Sequence, residues 1–295
     1  MQVTRQAVTL FLSGDVMTGR GVDQIFAQSS APHLRESYIR DARDYVELAE
    51  QANGPIPRPV DPAYIWGDAL GELDLVAPDA RIINLETTIT TSDDFWPGKS
   101  IHYRMHPANS SCLTAARIAV CTLANNHLLD FGYPGLIDTL DALHAAGIQT
   151  TGAGCDLVEA RRPTIIELAA DRRVIVLSLG SLDSGIPPAW SANSERSGVD
   201  LLRDFSDAAA DDVLERVSRV TRPGDVVIAS IHWGSNWGYK VPDAHVRFAH
   251  RLLDGHVALV HGHSSHHPRP LEIYKQKLAL YGCGDFLTDY EGIRG

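Results

Sequence analysis

Short apolar runs rich in β-branched residues alternate along this chain with stretches of helical periodicity. The apolar runs, which we predict to be strands, cover residues 8–13, 81–85, 118–123, 164–168, 174–179, 225–231 and 257–261. Stretches at 133–146, 205–220 and 243–253 place apolar residues at helical spacing. This alternation predicts an α/β fold built from layers rather than a barrel of hairpins. No linker or repeat interrupts the 295 residues, so we expect one domain over 1–295.

Three segments depart from the alternation. Residues 27–62 are polar and end in a proline-rich stretch, which predicts a rigid loop. Residues 87–111 form a second long loop, and long loops inside compact domains are often binding elements. A β-hairpin is expected where 269–274 and 278–283 flank a short polar turn.

Polar side chains stand where several of the predicted strands end. They are Asp15, Glu86, Asn126 with His127, His232 and His263. A single Gly-Asp or Asn-His pair is commonly a turn or a cap, but five such strand ends would meet at one edge of an open α/β sheet. We therefore predict a metal site with Asp15, Glu86, Asn126, His232 and His263 as ligands. Carboxylate, amide and imidazole ligands without a thiolate favour Ca, Mn or Mg over Zn, and no organic cofactor is expected.

Five motifs give the chain a resemblance to a known family. They read LSGDVMTGR (12–20), IINLETTIT (82–90), TLANNHLLDFGYPGLIDTLDAL (122–143), SIHWGSNW (230–237) and HGHSSHHPRPLEIYKQKLALYGCGDF (261–286). In this order they resemble the CapA family, a branch of the calcineurin-like metallophosphoesterases. The resemblance implies a four-layer α/β/β/α sandwich with the metal cleft where the strand ends meet. It also implies that His127 is catalytic beside the amide ligand Asn126, and that His266 ends a Gly-His-x-x-His element.

Two departures from the phosphoesterase pattern change what the resemblance implies. The element expected as Gly-Asp-x-His reads Gly14-Asp15-Val16-Met17 here, so one histidine ligand is missing. Glu86 stands where the bridging aspartate is expected. Two-metal hydrolysis uses both ions to hold the attacking and leaving oxygens. These departures therefore predict one firmly bound divalent cation and argue against phosphatase activity.

Two histidine–aspartate pairs remain for acid–base chemistry. Asp130 follows His127 by three positions and could orient its imidazole, or it could equally cap the next helix. His266 or His267 with Asp285 would form the second pair. Bases on either side of a cation suit removal and return of a proton next to a carbonyl. This is the chemistry of the lasso-peptide epimerases, which the chain also resembles.

We therefore expect a metal-dependent epimerase, an isomerase that inverts the Cα of the C-terminal residue of a ribosomal (lasso) precursor peptide. The residues expected to bind this peptide substrate are Lys99, Tyr103, Arg104 and Trp233. Lys99 and Arg104 are equally open to being solvated loop charges, and Trp233 to packing the cleft wall. Two alternatives remain: a metallophosphoesterase or poly-γ-glutamate biosynthesis enzyme of the CapA type, and a non-catalytic module that binds a peptide or polymer.

Charge and targeting signals limit the partners. Lys and Arg number 26 against 37 Asp and Glu, so the formal net charge is −11 with histidine neutral. An acidic chain is a poor match for nucleic acid or an anionic membrane surface. The first residues lack a signal-peptide core, no apolar run approaches a membrane span, and the cysteines form no C-x-x-C pair. We expect a cytoplasmic protein with no nucleic-acid and no membrane partner.

Overall fold

The computed structural model describes residues 7–169 and 171–290, which form a mixed α/β fold. The strands are β1 (Leu10–Val16), β2 (Ala80–Leu85), β3 (Thr88–Ile89), β4 (Arg104–Met105), β5 (Val120–Thr122), β6 (Gln149–Thr151), β7 (Ala153–Gly154), β8 (Thr164–Glu167), β9 (Arg173–Ser181), β10 (Gly198–Val199), β11 (Leu201–Leu202), β12 (Val226–His232), β13 (Leu259–His263), β14 (Leu271–Tyr274), β15 (Lys277–Leu280) and β16 (Asp285–Leu287). The helices are α1 (Arg43–Asn53), α2 (Ala69–Val76), α3 (Ser111–Ala115), α4 (Gly132–Ala145), α5 (Leu157–Ala160), α6 (Asp207–Ser218) and α7 (Asp243–Asp254).

The first large sheet is parallel throughout. In the described part of the chain its strands follow the order β16, β1, β2, β5, β6. The register between β1 and β2 shifts between Ser13 and Asp15. Irregularities of this kind re-aim the next side chain and are common beside active sites. Here the shift comes directly before the carboxylate of Asp15.

The second large sheet is mixed. Its strands follow the order β11, β9, β12, β13, β15, β14, and β8 pairs with β9. Strands β9, β12, β13 and β15 run parallel, whereas β8 and β14 are antiparallel to their neighbours. In the parallel register of β12 and β13, His232 stands opposite His263. The two imidazoles therefore leave the sheet side by side.

Alternate positions of the central strands pack into different apolar clusters. Successive side chains of a strand point to opposite faces, so Ile82 and Ile83 of β2 belong to separate clusters. Ile83 packs with residues of α3 and α4, whereas Ile82 shares its cluster with Val174 of β9 and Ile228 of β12. Val227 of β12 joins a third cluster with residues of α6 and α7. Burial of both faces explains why these strands read as continuous apolar runs.

The sequence-based α/β prediction is confirmed. Each predicted strand overlaps an observed strand, the three predicted helices correspond to α4, α6 and α7, and the hairpin is β14–β15. Strands β1 and β13 continue beyond the predicted ends at residues 13 and 261. As a result, Asp15 and His263 lie on the strands themselves rather than in the loops that follow.

The two predicted loops contain regular structure. Residues 27–62 include the eleven-residue helix α1, which buries only Tyr45 and Val46 and is mostly polar, so its composition resembles that of a polar loop. Residues 87–111 include the short parallel pair β3–β4. Pairing with a neighbouring segment, rather than the local sequence, defines strands as short as these.

Helix α4, with 14 residues, is the longest helix of the described chain. Among the residues that the structure describes, none of the helices has the length and apolar character needed to cross a membrane.

Candidate metal centre

The carboxyl ends of strands from both large sheets supply the central side chains of the candidate site. Asp15 lies near the end of β1, and Glu86 follows β2 directly. His232 and His263 are the last residues of β12 and β13. All four side chains are buried, with exposed fractions of 2% or less. The sequence-based prediction that these strand ends meet agrees with this arrangement.

Three possible ligand atoms converge among these side chains. The Nδ1 atoms of His232 and His263 lie 2.9 Å apart. The Oδ1 atom of Asp15 lies 3.8 Å from Nδ1 of His263 and 4.0 Å from Nδ1 of His232. These three residues form one of the groups in the described chain with ligand atoms close enough to share a cation.

Hydrogen bonds on the far side of each ring leave these nitrogens available. The Nε2 atom of His232 lies 3.0 Å from the amide oxygen of Asn126, which can only accept, so Nε2 carries the proton. The Nε2 atom of His263 lies 2.9 Å from Oγ of Ser230 and can donate in the same way. Burial lowers the pKa of both histidines well below the usual range, so both rings are neutral. Neutral imidazoles oriented by a second hydrogen bond are typical metal ligands.

Asn126 was predicted to be a ligand, and the structure gives it a different contact. Its side-chain oxygen accepts from His232, so Asn126 orients a ligand ring. Its role as a metal ligand stays a prediction. The preceding residue, Asn125, is fully buried and holds the loop by donating to the Leu85 carbonyl and accepting from the His127 backbone N–H.

The acidic groups of the site are buried without enough positive charge to balance them. Burial, with Asp285 nearby, raises the pKa of Asp15 to about 7. Burial also raises the pKa of Glu86 well above its usual range, and Asp15 and Asp285 add to the effect. In the described residues, Oε2 of Glu86 is buried and has no hydrogen-bond partner. A divalent cation would stabilise these carboxylates, and the mixed imidazole and carboxylate donors suit such an ion.

A second acidic group adjoins the first. Asp285 opens β16 and stands opposite Asp15 in the strand register. Its Oδ1 lies 2.9 Å from Nδ1 of His266, whose Nε2 accepts from Nδ2 of Asn236 at 3.0 Å. Burial disfavours the charged form of His266, but Asp285 outweighs burial and raises its pKa. The predicted His266–Asp285 pair is therefore formed, and His266 rather than His267 is the partner.

The predicted His127–Asp130 pair is also formed. Nδ1 of His127 lies 2.6 Å from Oδ2 of Asp130, and Nε2 of His127 faces Oε1 of Glu86 at 3.6 Å. Burial lowers the pKa of His127 to about 4. Burial opposes ionisation of Asp130, but His127 and Lys99 outweigh it and lower its pKa. Asp130 thus fixes the proton on Nδ1 and leaves Nε2 as an acceptor toward the acidic cluster.

Three of the four predicted substrate-binding residues have other partners. Lys99 donates to Oδ1 of Asp130 at 2.5 Å and to the carbonyl of Asn126, so it stabilises the His127–Asp130 pair. Tyr103 is 1% exposed and its ring lies edge-on to His127. Trp233 is fully buried, stacks on His245 and donates to the Tyr281 carbonyl. Direct substrate contact was the wrong prediction for Trp233, because its ring is part of the protein core.

Arg104 is the fourth predicted substrate-binding residue, and its hydrogen bonds go to residues outside the acidic cluster. Its Nη1 donates to the Ser92 carbonyl at 2.8 Å and to Oδ1 of Asp93 at 2.6 Å. It lines a cavity bounded by loop residues such as Phe95 and His102. The structure therefore places Arg104 beside the centre rather than in it.

Several residues that support the site were missed by sequence reasoning. Asn84 donates from Nδ2 to Oδ1 of Asp15 at 2.7 Å, and the backbone N–H of Ser264 reaches Oδ2 at 3.2 Å. Ser230 contacts both His263 and His261. Asn84 and Ser230 interrupt otherwise apolar strands, and a buried polar residue in such a run needs a partner. These polar residues within apolar strands were the sequence signal that could have identified Asn84 and Ser230 as part of the site.

Curated relatives cover most of the chain. A protein of Mycobacterium tuberculosis described as a probable polyglutamine synthesis accessory protein is 56% identical over 289 residues, covering 98% of this chain and 76% of the relative. The capsule biosynthesis protein CapA of Bacillus anthracis is 22% identical, covering 96% of this chain and 60% of the relative. The PGA biosynthesis protein CapA of Bacillus subtilis is 25% identical, covering 94% of this chain and 62% of the relative.

These relatives correct the expected function. A relative with more than half of its aligned residues identical is named for polyglutamine synthesis, and two more distant ones for capsule or PGA biosynthesis. The prediction of a lasso-peptide epimerase is therefore wrong. The loss of one histidine ligand and the surplus of histidine–aspartate pairs did not distinguish that reaction from others at a similar centre.

The resemblance to CapA is confirmed. The family described as "Bacterial capsule synthesis protein PGA_cap" matches residues 9–290. That span contains both large sheets and every residue of the candidate centre. The chain belongs to the bacterial capsule synthesis protein PGA_cap family.

Proposed function

We propose that this protein acts in the synthesis of a glutamate polymer, as a metal-dependent enzyme that hydrolyses amide bonds of poly-γ-glutamate. The observation that carries the proposal is the convergence of Asp15, His232 and His263 beside the oriented base His127. The relatives' names, which refer to polyglutamine, capsule and PGA, support a polymer of this class, and the donor atoms support the metal-dependent chemistry. The layers of helix and sheet are proposed to stack as an α/β/β/α sandwich of the calcineurin type, since one apolar cluster joins residues of both sheets.

Manganese is the ion we propose for the centre. Calcium and magnesium prefer oxygen ligands, whereas this group offers two imidazole nitrogens with carboxylates. A divalent cation held there would supply an activated water and polarise the carbonyl under attack. Asp15, His232 and His263 would hold it, and the carboxylates of Asp285 and Glu86 lie close to Asp15.

The residues of the chain move the protons. With Nδ1 held by Asp130, Nε2 of His127 can accept a proton from water and return it to the departing amine. Lys99 keeps Asp130 ionised, so the ring stays in this tautomer. Oε1 of Glu86 lies 3.6 Å from this Nε2.

The proposal is tested with purified full-length protein, stripped by a chelator and reloaded separately with Mn²⁺, Mg²⁺, Ca²⁺ or Zn²⁺. Poly-γ-glutamate is added, and new amine ends and chain length are measured. We expect cleavage with Mn²⁺ and a rate lower by about 100-fold or more in His127→Ala. His256→Ala changes an exposed histidine and should leave the rate unchanged. No new amine ends with any of the four ions, or turnover of a model phosphoester instead, would overturn the proposal.

A further inference from the structure

A cavity of about 300 Å³ is lined by residues next in sequence to those that contact Asp130. Its lining includes Arg35, Phe95, His102, Arg104 and Phe131. Phe131 directly follows Asp130, and His102 directly precedes Tyr103, whose backbone N–H donates to Asp130. The cavity is therefore built on the same short segments that orient the base. Its volume is at the lower end of the range of about 300–1,000 Å³ typical of small-ligand pockets.

Arg35 supplies an exposed cation to the lining of this cavity, and its charge also acts on Asp93. Its side chain is exposed, and its guanidinium carbon lies 3.3 Å from the ring centre of Phe95. Within residues 7–169 and 171–290, no hydrogen bond or ion pair occupies the guanidinium. Stacking on an aromatic face holds the planar group in one orientation while its N–H donors remain free.

Arg104 supplies a second cation, which is held by an exposed acid. Its side chain is 10% exposed and stacks over Phe131 at 4.6 Å. Its partner Asp93 is 88% exposed at the side chain. An exposed carboxylate gains little from such a pair. A ligand carboxylate could therefore replace Asp93 at Arg104 at small cost.

His102 adds an acceptor to the lining. Its Nε2 lies 2.9 Å from the Trp96 carbonyl, which only accepts, so Nε2 carries the proton and Nδ1 has the free lone pair. Its ring meets the edges of Phe95 and Phe131. The lining thus offers the guanidinium groups of Arg35 and Arg104, an imidazole acceptor and two aromatic rings. A third arginine of the lining, Arg20, is paired with the lining carboxylate of Glu36.

We propose that this cavity binds a carboxylate-bearing glutamyl unit of the polymer, next to the unit at the metal centre. The identity of the polymer rests on the proposed function, whereas the carboxylate chemistry rests on the cavity. A chain with a net charge of −11 repels a polyanion on average, so binding requires a local cluster of guanidinium groups. Arg35 and Arg104 would bind the carboxylate, and the aromatic rings would flank its methylene stem.

The test measures binding by calorimetry, with the full chain in chelator and again with Mn²⁺. The probe is a trimer of γ-linked glutamate, compared with its uncharged amide and with inorganic phosphate. We expect Arg35→Gln to raise the Kd of the trimer about tenfold, and Asp93→Asn to lower it about threefold by removing the competing carboxylate. Arg219→Gln changes an arginine outside the cavity, whose side chain is 69% exposed, and should leave the Kd of the trimer unchanged.

The outcomes separate this proposal from the proposed function. Equal binding of the amide, unchanged binding by Arg35→Gln, or no binding of the trimer would overturn the carboxylate site. Phosphate that displaces the trimer with equal affinity would overturn its glutamyl specificity. Cleavage of the polymer with Arg35→Gln as active as the natural chain would support the metal centre and reject the cavity. Trimer binding that depends on Arg35, without cleavage, would support the cavity and reject the hydrolase.

Discussion

Asp130 is fully buried and is held by three different donors. His127 contacts it through Nδ1, Lys99 through its ammonium group, and Tyr103 through its backbone N–H. Removing one partner of a buried ion pair leaves the other charge without compensation. The side chain of Lys99 is only 17% exposed, so water replaces little of the lost contact.

Asp130→Asn should therefore lower the free energy of unfolding by about 3–5 kcal/mol, because the ammonium of Lys99 would remain buried beside a neutral amide. Urea unfolding measures the change. Asp141→Asn, an exposed substitution on α4, should stay within about 0.5 kcal/mol of the natural chain. Combining Asp130→Asn with Lys99→Met should recover part of the loss. A single-variant loss below about 1 kcal/mol would show that the pair does not stabilise the fold.

The separate residues of the site differed in how well the sequence predicted them. The sequence predicted that Asp15, His232 and His263 would lie together, because polar residues at several strand ends meet at one edge of a sheet, and the structure brings their ligand atoms close. Trp233 was misplaced because its neighbour His232 faces the site, and alternate residues of an extended chain point to opposite faces. The contact between Asn126 and His232 was not predictable, because it depends on how close the loop after β5 comes to the end of β12, which is remote in sequence.

At the scale of elements, close packing of β1 against the segment before β16 holds Asp15 beside Asp285. A Cβ atom added to Gly14 would lie 1.8 Å from the carbonyl oxygen of Gly284. No real structure tolerates that distance, so the two segments would have to separate. The separation would displace two of the site's acidic groups together.

Gly14→Ala should therefore lower the free energy of unfolding by about 3 kcal/mol or more and weaken Mn²⁺ binding. Gly71→Ala is the matched control, because Gly71 lies in α2 with open space around its Cα. Alanine favours a helix interior by about 1 kcal/mol over glycine, so this variant should gain stability. Equal stability of Gly14→Ala and the natural chain in urea would refute the packing argument.

The elements that the sequence predicted share one property. Each contains enough buried apolar residues of its own to show a recognisable pattern. Most of the buried positions of strands β9 and β12 and of helix α4 are apolar. By contrast, β16 has three residues, and its strand conformation depends on pairing with β1. Short strands of this kind depend on the tertiary structure, so a local pattern could not identify them.

At the scale of the whole molecule, the candidate centre joins the two large sheets. Asp15 belongs to the parallel sheet, whereas His232 and His263 belong to the mixed sheet. A ligand that binds only the folded state stabilises it in proportion to its affinity. A cation held by all three residues should therefore raise the stability of the entire fold.

This stabilisation by Mn²⁺ should be greater at pH 8 than at pH 6. Asp15 has a pKa of about 7 without the ion, so at pH 6 a proton must leave before the cation binds. The affinity should differ about tenfold between the two pH values, which corresponds to about 1.4 kcal/mol. Chemical unfolding with and without Mn²⁺ at each pH measures the difference, and Asp15→Asn should abolish it. A greater effect at pH 6 would contradict the assignment.

Samples with and without Mn²⁺ must be compared at the same pH, because the stability of the metal-free protein itself depends on pH. Asp15 and His127 contribute to that dependence in opposite directions. The raised pKa of Asp15 stabilises the fold below about pH 4, and that contribution is lost as the pH rises through about 7. The lowered pKa of His127 acts in the other direction, since its stability is present above 6.5 and is lost as the pH falls through about 4. The difference in stability with and without Mn²⁺ at one pH subtracts these two metal-free contributions.

The pairing of β1 with β16 also bears on how the chain acquires its site. These are the first and the last of the described strands, and Asp15 and Asp285 stand opposite each other across them. During synthesis the chain emerges from its N-terminus, and contacts between distant residues form late. Asp15 therefore acquires its neighbour Asp285 only after nearly the whole chain has been synthesised. Until then the nascent protein exposes one edge of its parallel sheet, and the ability to bind a cation is among the last properties to arise.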